Sequence, residues 1–386
     1  MDTQPKELFK FYNNSMSAKF IYIANARIPT EKAHGLQIMK MCEAFTRTGQ
    51  QVELWVPNRA NFLTDDPFAY YQVASIFTIH RLPVIDLVGR IPVLGHWIES
   101  ISFAWATVQR LRQENSSSII YSRDQFSLWL IGRLTQRNIF FEFHVFPKRI
   151  LAFHKYLWRR CRHIFTINKT VAAKLQRAGI SPDAISAAPS AVDASLLQFN
   201  LSREQARQQL ALDAKAKLAV YIGHLYPEKG VDTVIAATQQ IPDCHFLLVG
   251  GTDELIAHYR EHPVANVTIV GRKPHEQVFS YIAAADIVLL PNSARYARSA
   301  EDTSPMKLFE YMALRRPIVA SRVPAIEEIL DDQSAYFFQP DDPASLAQTI
   351  QQALTEDSSA KVAAAWAKVQ SYTWDARAKA IISRLH

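Results

Sequence analysis

The densest run of chemically able side chains is Glu301-Asp302-Thr303-Ser304-Pro305-Met306-Lys307-Leu308-Phe309-Glu310. Thr303 or Ser304 suits the N-cap of a helix, and Pro305 suits its first position, where a missing N–H costs nothing. The unpaired N–H groups and positive dipole end of such a helix make an anion site. Asp302 stands just before that end, and Glu310 lies five residues beyond Pro305, roughly 7–8 Å along the axis. One ligand could therefore place hydroxyls at Asp302, phosphates at the helix start and further hydroxyls at Glu310. A capped amphipathic helix explains the same letters, and the local pattern leaves both readings standing. A second candidate is Lys229, at the tip of the turn His224-Leu225-Tyr226-Pro227-Glu228-Lys229-Gly230. It is placed either to neutralise phosphate or to sit solvated before a helix.

Such groups need strands to deliver them to one edge. The chain reads as short apolar runs alternating with helical stretches: Phe20–Ala24, Val52–Val56, Phe77–Leu82, Ile119–Tyr121, Ile139–Phe143 and His163–Ile167, with a helix over Gly35–Phe45. The rhythm breaks around 186–212 and restarts with Ala219–Gly223, Phe246–Gly250, Val267–Gly271, Ile287–Pro291 and Pro317–Ser321. This is the pattern of α/β domains with parallel, doubly wound sheets, in which ligands bind at the carboxyl ends of strands. The expected organisation is a polar leader over 1–18, an N-terminal Rossmann-like domain over 19–200, a C-terminal one over 201–370 and a last segment over 371–386. A chain of 386 residues is too long for one ordinary core, and two such domains face each other across a cleft.

Composition narrows the class. Charge is uneven: residues 1–185 hold 24 Lys and Arg against 13 Asp and Glu, leaving 19 against 23 for the rest. A basic first half suits an anionic substrate or membrane surface, but it contains no recognisable DNA- or RNA-binding motif, so nucleic acid is not an expected partner. Lys148–Arg160 sets apolar residues at helical spacing among cations, which fits either an interfacial helix or a core-packing helix with a solvated basic face. No apolar run approaches the roughly 20 residues needed to span a bilayer, and no secretory signal pattern opens the chain. The expected location is cytoplasmic, with peripheral attachment to the inner face of the membrane as a further reading. Cys42, Cys161 and Cys244 are odd in number and far apart, which indicates neither disulfides nor a thiolate metal site.

Together, Gly223–Gly230, Val270-Gly271, Ala284-Ala285-Asp286-Ile287 and the 301–313 run resemble the retaining GT-B glycosyltransferases of family 4. The likeness extends over essentially the whole chain. Pro29–Gly35 is similar to the family's N-terminal glycine loop, Phe141-Glu142-Phe143-His144 to the segment carrying its active-site histidine, and Pro189–Asp193 to its interdomain segment. Ser371–Trp374 resembles the start of a final helix that crosses back to the first domain. Three positions depart from the pattern. His224 stands where the family has arginine, Asp302 stands where it has the first of two glutamates, and Gly35 is single where a glycine cluster is usual.

The resemblance implies a hexosyltransferase that moves a sugar from GDP-mannose or a UDP-sugar to a glycan or lipid-linked acceptor, without divalent metal or other cofactor. No His/Asp/Glu cluster at metal-ligand spacing is visible in the sequence. It assigns the diphosphate to Lys229, His224 and the backbone from Ser304 through Pro305 to Met306, with Gly35, Gly223 and Thr303 lining the donor. Asp302, or its neighbour Glu301, would hold sugar hydroxyls, Glu310 the ribose, and Arg272 and Lys273 would flank the base. His144 would contact the transferred sugar near the reacting centre. Arg123, Asp124 and Glu142 are further candidates for donor or acceptor contact, whereas His154 and His163 read as packed residues. Two other readings stand beside this one: a nucleotide-sugar epimerase on the same fold, and a catalytically inactive nucleotide-sugar-binding protein.

Overall fold

A computed structural model describes residues 19–385, so the leader expected over 1–18 lies outside the described residues. The chain divides into two compact units, one of residues 19–141 and 151–162 with Leu385, the other of residues 142–150 and 163–384.

Thirteen strands build two parallel sheets. The first contains β1 (Phe20–Ile23), β2 (Val52–Pro57), β3 (Thr78–Leu82), β4 (Ile119–Ser122), β5 (Ile139–Phe143), β6 (His163–Thr166) and β7 (Ile185–Ala187), in the order β3-β2-β1-β4-β5-β6-β7. The second contains β8 (Lys217–Ile222), β9 (Cys244–Val249), β10 (Val267–Gly271), β11 (Ile287–Leu290), β12 (Ile318–Ser321) and β13 (Tyr336–Phe338), in the order β10-β9-β8-β11-β12-β13. Each sheet starts at its centre, grows one way for three strands, then crosses to the other side. The β1/β4 and β8/β11 boundaries are therefore switch points, where loops diverge and leave a crevice at the strand ends.

Burial explains why the strands read as unbroken apolar runs. Along β8, Leu218, Val220 and Ile222 enter one core cluster while Ala219 and Tyr221 enter another. Leu247 and Val249 of β9 alternate in the same way with Phe246 and Leu248. Both faces of the sheet are dry along these strands, as helix-covered parallel sheets require. A buried Arg207 fastens the start of this sheet: it donates to the carbonyls of Ala284 (2.9 Å), Ala214 (2.8 Å) and Ala216 (2.9 Å) and pairs with Asp286 at 2.7 Å.

Three local expectations change. Two of the four edge strands, β7 and β13, are absent from the sequence reading. Gly35, read both as the first residue of a helix and as the end of the glycine loop, lies inside the helix Ala33–Arg47, and a Cβ there would fall 2.1 Å from the Tyr71 hydroxyl. That hydroxyl donates to the Thr30 carbonyl and accepts from the Thr30 N–H, so the absence of a side chain at Gly35 serves this packing. In the basic stretch, only Ala152–Arg160 is helical, with His154, Leu157 and Trp158 buried and Lys155 and Arg159 exposed. It is a core-packing helix with a solvated basic face.

The tightest backbone approach in the second sheet follows β8. Gly230 holds φ 73°, and a Cβ there would lie 1.7 Å from the Pro291 carbonyl oxygen at the end of β11. Gly230→Ala adds both left-handed strain and a clash, and it should lower unfolding stability by on the order of 2–5 kcal/mol, read from urea denaturation. A variant within 0.5 kcal/mol of the parent would contradict this packing.

Candidate functional site

Beyond the carboxyl ends of β8, β9 and β10 the backbone closes on itself with glycine at each strand end. Gly223 N–H donates to Val249 O and Gly250 N–H to Gly271 O, both at 2.8 Å. A Cβ on Gly250 would sit 2.3 Å from Gly223 O, so only glycine permits this contact. The residues after β8 then turn through Pro227–Lys229 toward the end of β11, which brings Lys229 to the switch point.

A second lysine, which the sequence reading left without a role, joins it. Lys307 donates from Nζ to Ile222 O at 2.8 Å and lies 3.9 Å from the centre of the Tyr221 ring. Tyr221 is in turn fixed by donating its hydroxyl proton to His224 O at 2.6 Å, and Ile222 N–H donates to the Tyr311 hydroxyl at 3.0 Å. Burial pulls the Lys307 ammonium well below its ordinary range, the charge of Lys229 pushes it further the same way, and Glu310 opposes both. Burial also lowers Lys229, opposed by Glu228 and reinforced by Arg298. Two lysines that repel each other at a crevice favour a bound anion. Lys307 stands three residues before Glu310, a spacing that puts both on one side of a helix and could have flagged it.

The acid end is built differently from the expected cap. The helix spans Met306–Ala313 with Pro305 as its N-cap and no side-chain cap, so Pro305 is not the first helical residue and neither Thr303 nor Ser304 caps it. Ser304 Oγ instead accepts from Ser190 N–H at 2.8 Å, which draws the hydroxyl away from the helix. Since proline has no N–H, the anion-facing donors at this end come from Ser304 and from the first helical turn. Asp302 is buried, with Oδ1 2.5 Å from Lys174 Nζ and Oδ2 accepting from Phe146 N–H at 3.2 Å. Glu301 shares Lys174 at 2.7 Å and is the more exposed acid. Burial would lower the Lys174 ammonium, but its hydrogen bonds to Asp302 and Glu301 outweigh that and raise it. Asn168 Nδ2 donates to Glu301 O (2.6 Å) and Thr303 O (2.9 Å), completing the clamp on this loop. Glu310 is buried, 2.7 Å from Nε2 of His275, a residue just beyond Arg272 and Lys273 that the sequence reading passed over.

His144 follows β5 and is half-buried, its Nε2 3.1 Å from Glu142 Oε1. Glu142 is fully buried, and the same oxygen lies 2.7 Å from Arg377 on the helix Trp374–Ile382. Arg377 Nε also donates to Pro189 O at 2.9 Å. Glu142 is thus placed to orient His144 rather than to meet a ligand. Asp124 is the N-cap of the helix Gln125–Leu134 and accepts from Ser127 N–H at 2.9 Å, with burial raising its pKa, while Arg123 reaches Gln37. His154 and His163 are buried and shifted down by that burial, in keeping with packed residues. Among the described residues no group of three His, Cys, Asp or Glu side chains is arranged to hold a metal ion.

Comparison with known proteins fits this architecture. The family model for Glycosyltransferase Family 4 matches residues 35–196, and that for Glycosyl transferases group 1 matches residues 202–369. The chain therefore belongs to the group 1/family 4 glycosyltransferases, a retaining family with the GT-B fold. It is 27% identical over 166 residues to a Bacillus subtilis protein named as a teichuronic acid biosynthesis glycosyltransferase, covering 42% of this chain and 39% of that one. It is 25% identical over 182 residues to the D-inositol 3-phosphate glycosyltransferase of Mycolicibacterium gilvum, covering 45% and 40%. The matches thus span about two-fifths of these relatives' length. Sucrose-phosphate synthase from Thermosynechococcus elongatus shares the fold at TM-score 0.76 and 20% identity, with coverage of 95% and 98%. So does Anabaena HepE, solved with UDP and glucose, at TM-score 0.74 and 15% identity, with coverage of 95% and 99%.

Arg377 joins a fully buried carboxylate to a carbonyl, and removing one member of such a pair leaves an uncompensated charge. Arg377→Met should cost about 3–5 kcal/mol of unfolding free energy in urea. A loss under 1 kcal/mol would show that Glu142 finds another partner and that Arg377 is dispensable.

Proposed function

We propose that this chain transfers a hexose-type sugar, with retention of anomeric configuration, from a nucleoside diphosphate donor to a glycan or lipid-linked acceptor in cell-surface polysaccharide or glycoconjugate synthesis. The donor is GDP-mannose or a UDP-sugar. The observation that carries this reading is the convergence of Lys229, Lys307 and Glu310 at the crevice beyond β8, with residues 201–370 forming the donor side. The activities for which the bacterial relatives are named, and the UDP and glucose bound by the structural neighbour, point the same way.

Breaking the bond between the anomeric carbon and the diphosphate loads negative charge on the leaving group. Preorganised cations and N–H dipoles stabilise that charge most where water is excluded. Lys229, Lys307 and the start of the Met306–Ala313 helix supply them, with Lys307 taking the place of the arginine absent at His224. The ring of His224 stacks on Tyr226, with centroids 5.1 Å apart. Glu310 accepts from ribose hydroxyls, with His275 beside it. Gly223 and Thr303 line the donor, and Arg272 and Lys273 flank the base. Asp302 meets the sugar, and His144, oriented by Glu142 and Arg377, contacts it near the reacting carbon. The acceptor attacks from the face the diphosphate leaves, and the departing phosphate takes the acceptor's proton. No carboxylate base is needed.

A thermal-shift screen of nucleotide sugars identifies the donor, since a ligand that binds only the native state raises its stability. With that donor, Lys229→Ala, Lys307→Ala and Glu310→Ala should each cut transfer on the order of 10²–10³-fold while leaving the melting temperature of the unliganded protein near that of the parent. Near-normal turnover in all three would sink the site assignment.

Proton linkage gives an independent check. Without ligand, burial holds both lysines below the ordinary value of 10.5, aided by the charge of Arg298 at Lys229 and by that of Lys229 at Lys307. A bound diphosphate favours their charged forms, so binding takes up protons, and affinity falls as pH rises through the lowered values toward 10.5. Calorimetry in two buffers of different ionisation enthalpy should show net uptake that shrinks in Lys307→Ala. Net release in the parent protein would contradict the placement of the lysines.

A further inference from the structure

The helix Pro92–Leu111, which crosses from β3 to β4, buries one side in the ordinary way: Glu99, Phe103, Thr107 and Val108 are all fully inaccessible. Its other side departs from that of a surface helix. Val93, Trp97, Ile101 and Trp105 recur at every fourth residue and are 77%, 50%, 60% and 50% exposed, with Leu94 alongside. The row runs about 18 Å along the axis without a charged residue in it. Soluble proteins seldom expose so large a continuous apolar strip, and a helix that is apolar on both sides calls for a second apolar medium. Among the described residues no helix is long and apolar enough to cross a membrane, so that medium would be met from outside.

Charge selects among the surfaces that could cover this strip. The helices Pro92–Leu111, Gln125–Leu134 and Ala152–Arg160 pack in succession on one face of the first sheet, joined by the Trp97–Phe126 and Phe126–Phe153 ring contacts at 5.3 and 5.9 Å. Across residues 91–141 and 151–162 the acids are Glu99, Glu114 and Asp124, and none is exposed. Exposed cations in the same segments are Arg112, Arg133, Lys155, Arg159 and Arg162. Tryptophan and branched aliphatic side chains on a face without exposed carboxylates, beside solvated cations, match the chemistry of an anionic phospholipid surface, whose headgroups pair with the cations while the rings enter the interface.

We infer that the exposed side of the Pro92–Leu111 helix docks this protein on anionic phospholipid bilayers. The inference stands on the first unit alone and does not rest on the donor site. It moves the membrane contact away from the Ala152–Arg160 helix, whose apolar residues face the core, and leaves to that helix the electrostatic part of the contact.

The test is co-sedimentation of the full chain with vesicles of phosphatidylcholine alone and of phosphatidylcholine mixed equally with phosphatidylglycerol. The parent protein should bind the mixed vesicles, release as salt rises, and bind pure phosphatidylcholine roughly tenfold more weakly. The triple variant Val93→Ser/Ile101→Ser/Trp105→Ser spares Trp97, which packs on Phe126. It should keep its circular dichroism spectrum and lose binding roughly tenfold or more. Arg133→Glu/Lys155→Glu/Arg159→Glu changes charge without touching the strip, and it should weaken binding most at low salt. If the triple variant misfolds, this second variant carries the test. No sedimentation of the parent protein at low salt would overturn the inference, as would vesicle binding unchanged in both variants. Sedimentation velocity supplies another contrary result: if the parent protein self-associates without lipid and the triple variant does not, the strip is an interface between copies of the chain.

Discussion

The central strands of the six-stranded sheet, β8, β9, β11 and β12, are almost wholly dry on both faces, and much else in the second unit follows from that constraint. A strand such as Leu218–Ile222 feeds one core with its even-numbered residues and another with its odd-numbered ones, so it has no face left for chemistry. Polar groups are forced to the strand ends, where the ladder stops and chain direction changes. The switch between β8 and β11 widens that exit into a crevice, and Gly223, Gly250 and Gly271 keep side chains out of it. Stability of the sheet and location of the site therefore have one cause.

Lys307 shows what is required to keep charge at the edge of such a core. An ammonium partly removed from water needs compensation, and among the described residues no carboxylate forms an ion pair with it. The Ile222 carbonyl, the face of the Tyr221 ring and the nearby charge of Glu310 supply part of it. Lys229 works against it. The remaining deficit is what an anion would fill, which makes the unliganded site electrostatically unfavourable in a way that binding relieves. The same logic separates Lys307 from Lys174, whose two carboxylate partners already satisfy it.

The central strands and the alternation of strand with helix were legible in the residues because a strand buried on both faces must be written as an apolar run. The misses have physical reasons. Strands β7 and β13 are three residues long and lie at sheet edges, where Ile185-Ser186-Ala187 needs few apolar letters. The cap of the Met306–Ala313 helix was misplaced because Ser304 finds a partner, Ser190, that is 114 residues away. Arg377 and Glu142 meet across 235 residues, and no local pattern carries that contact. Lys174 and Asp302, 128 apart, were hidden for the same reason. The helix that carries Glu310 was legible because its letters are local, whereas the pairing of Glu310 with His275, 35 residues away, was not.

Asp302 brings these strands of argument together at the sugar end of the proposed site. It is one methylene shorter than the glutamate of the family pattern that the sequence resembles, and both of its oxygens already have partners in Lys174 and the Phe146 N–H. An ionised carboxylate offers about four lone-pair sites, so two contacts leave capacity for sugar hydroxyls. What the contacts remove is freedom. A shorter side chain locked by the half-buried Lys174, on a loop held by Asn168 and Ser190, presents its remaining lone pairs in one direction. A longer acid would reach further with less definition. On the proposed reading, the shorter acid and its pairing with Lys174 are two parts of one arrangement that exchanges reach for preorganisation. The sugar must then come to the carboxylate rather than the carboxylate to the sugar.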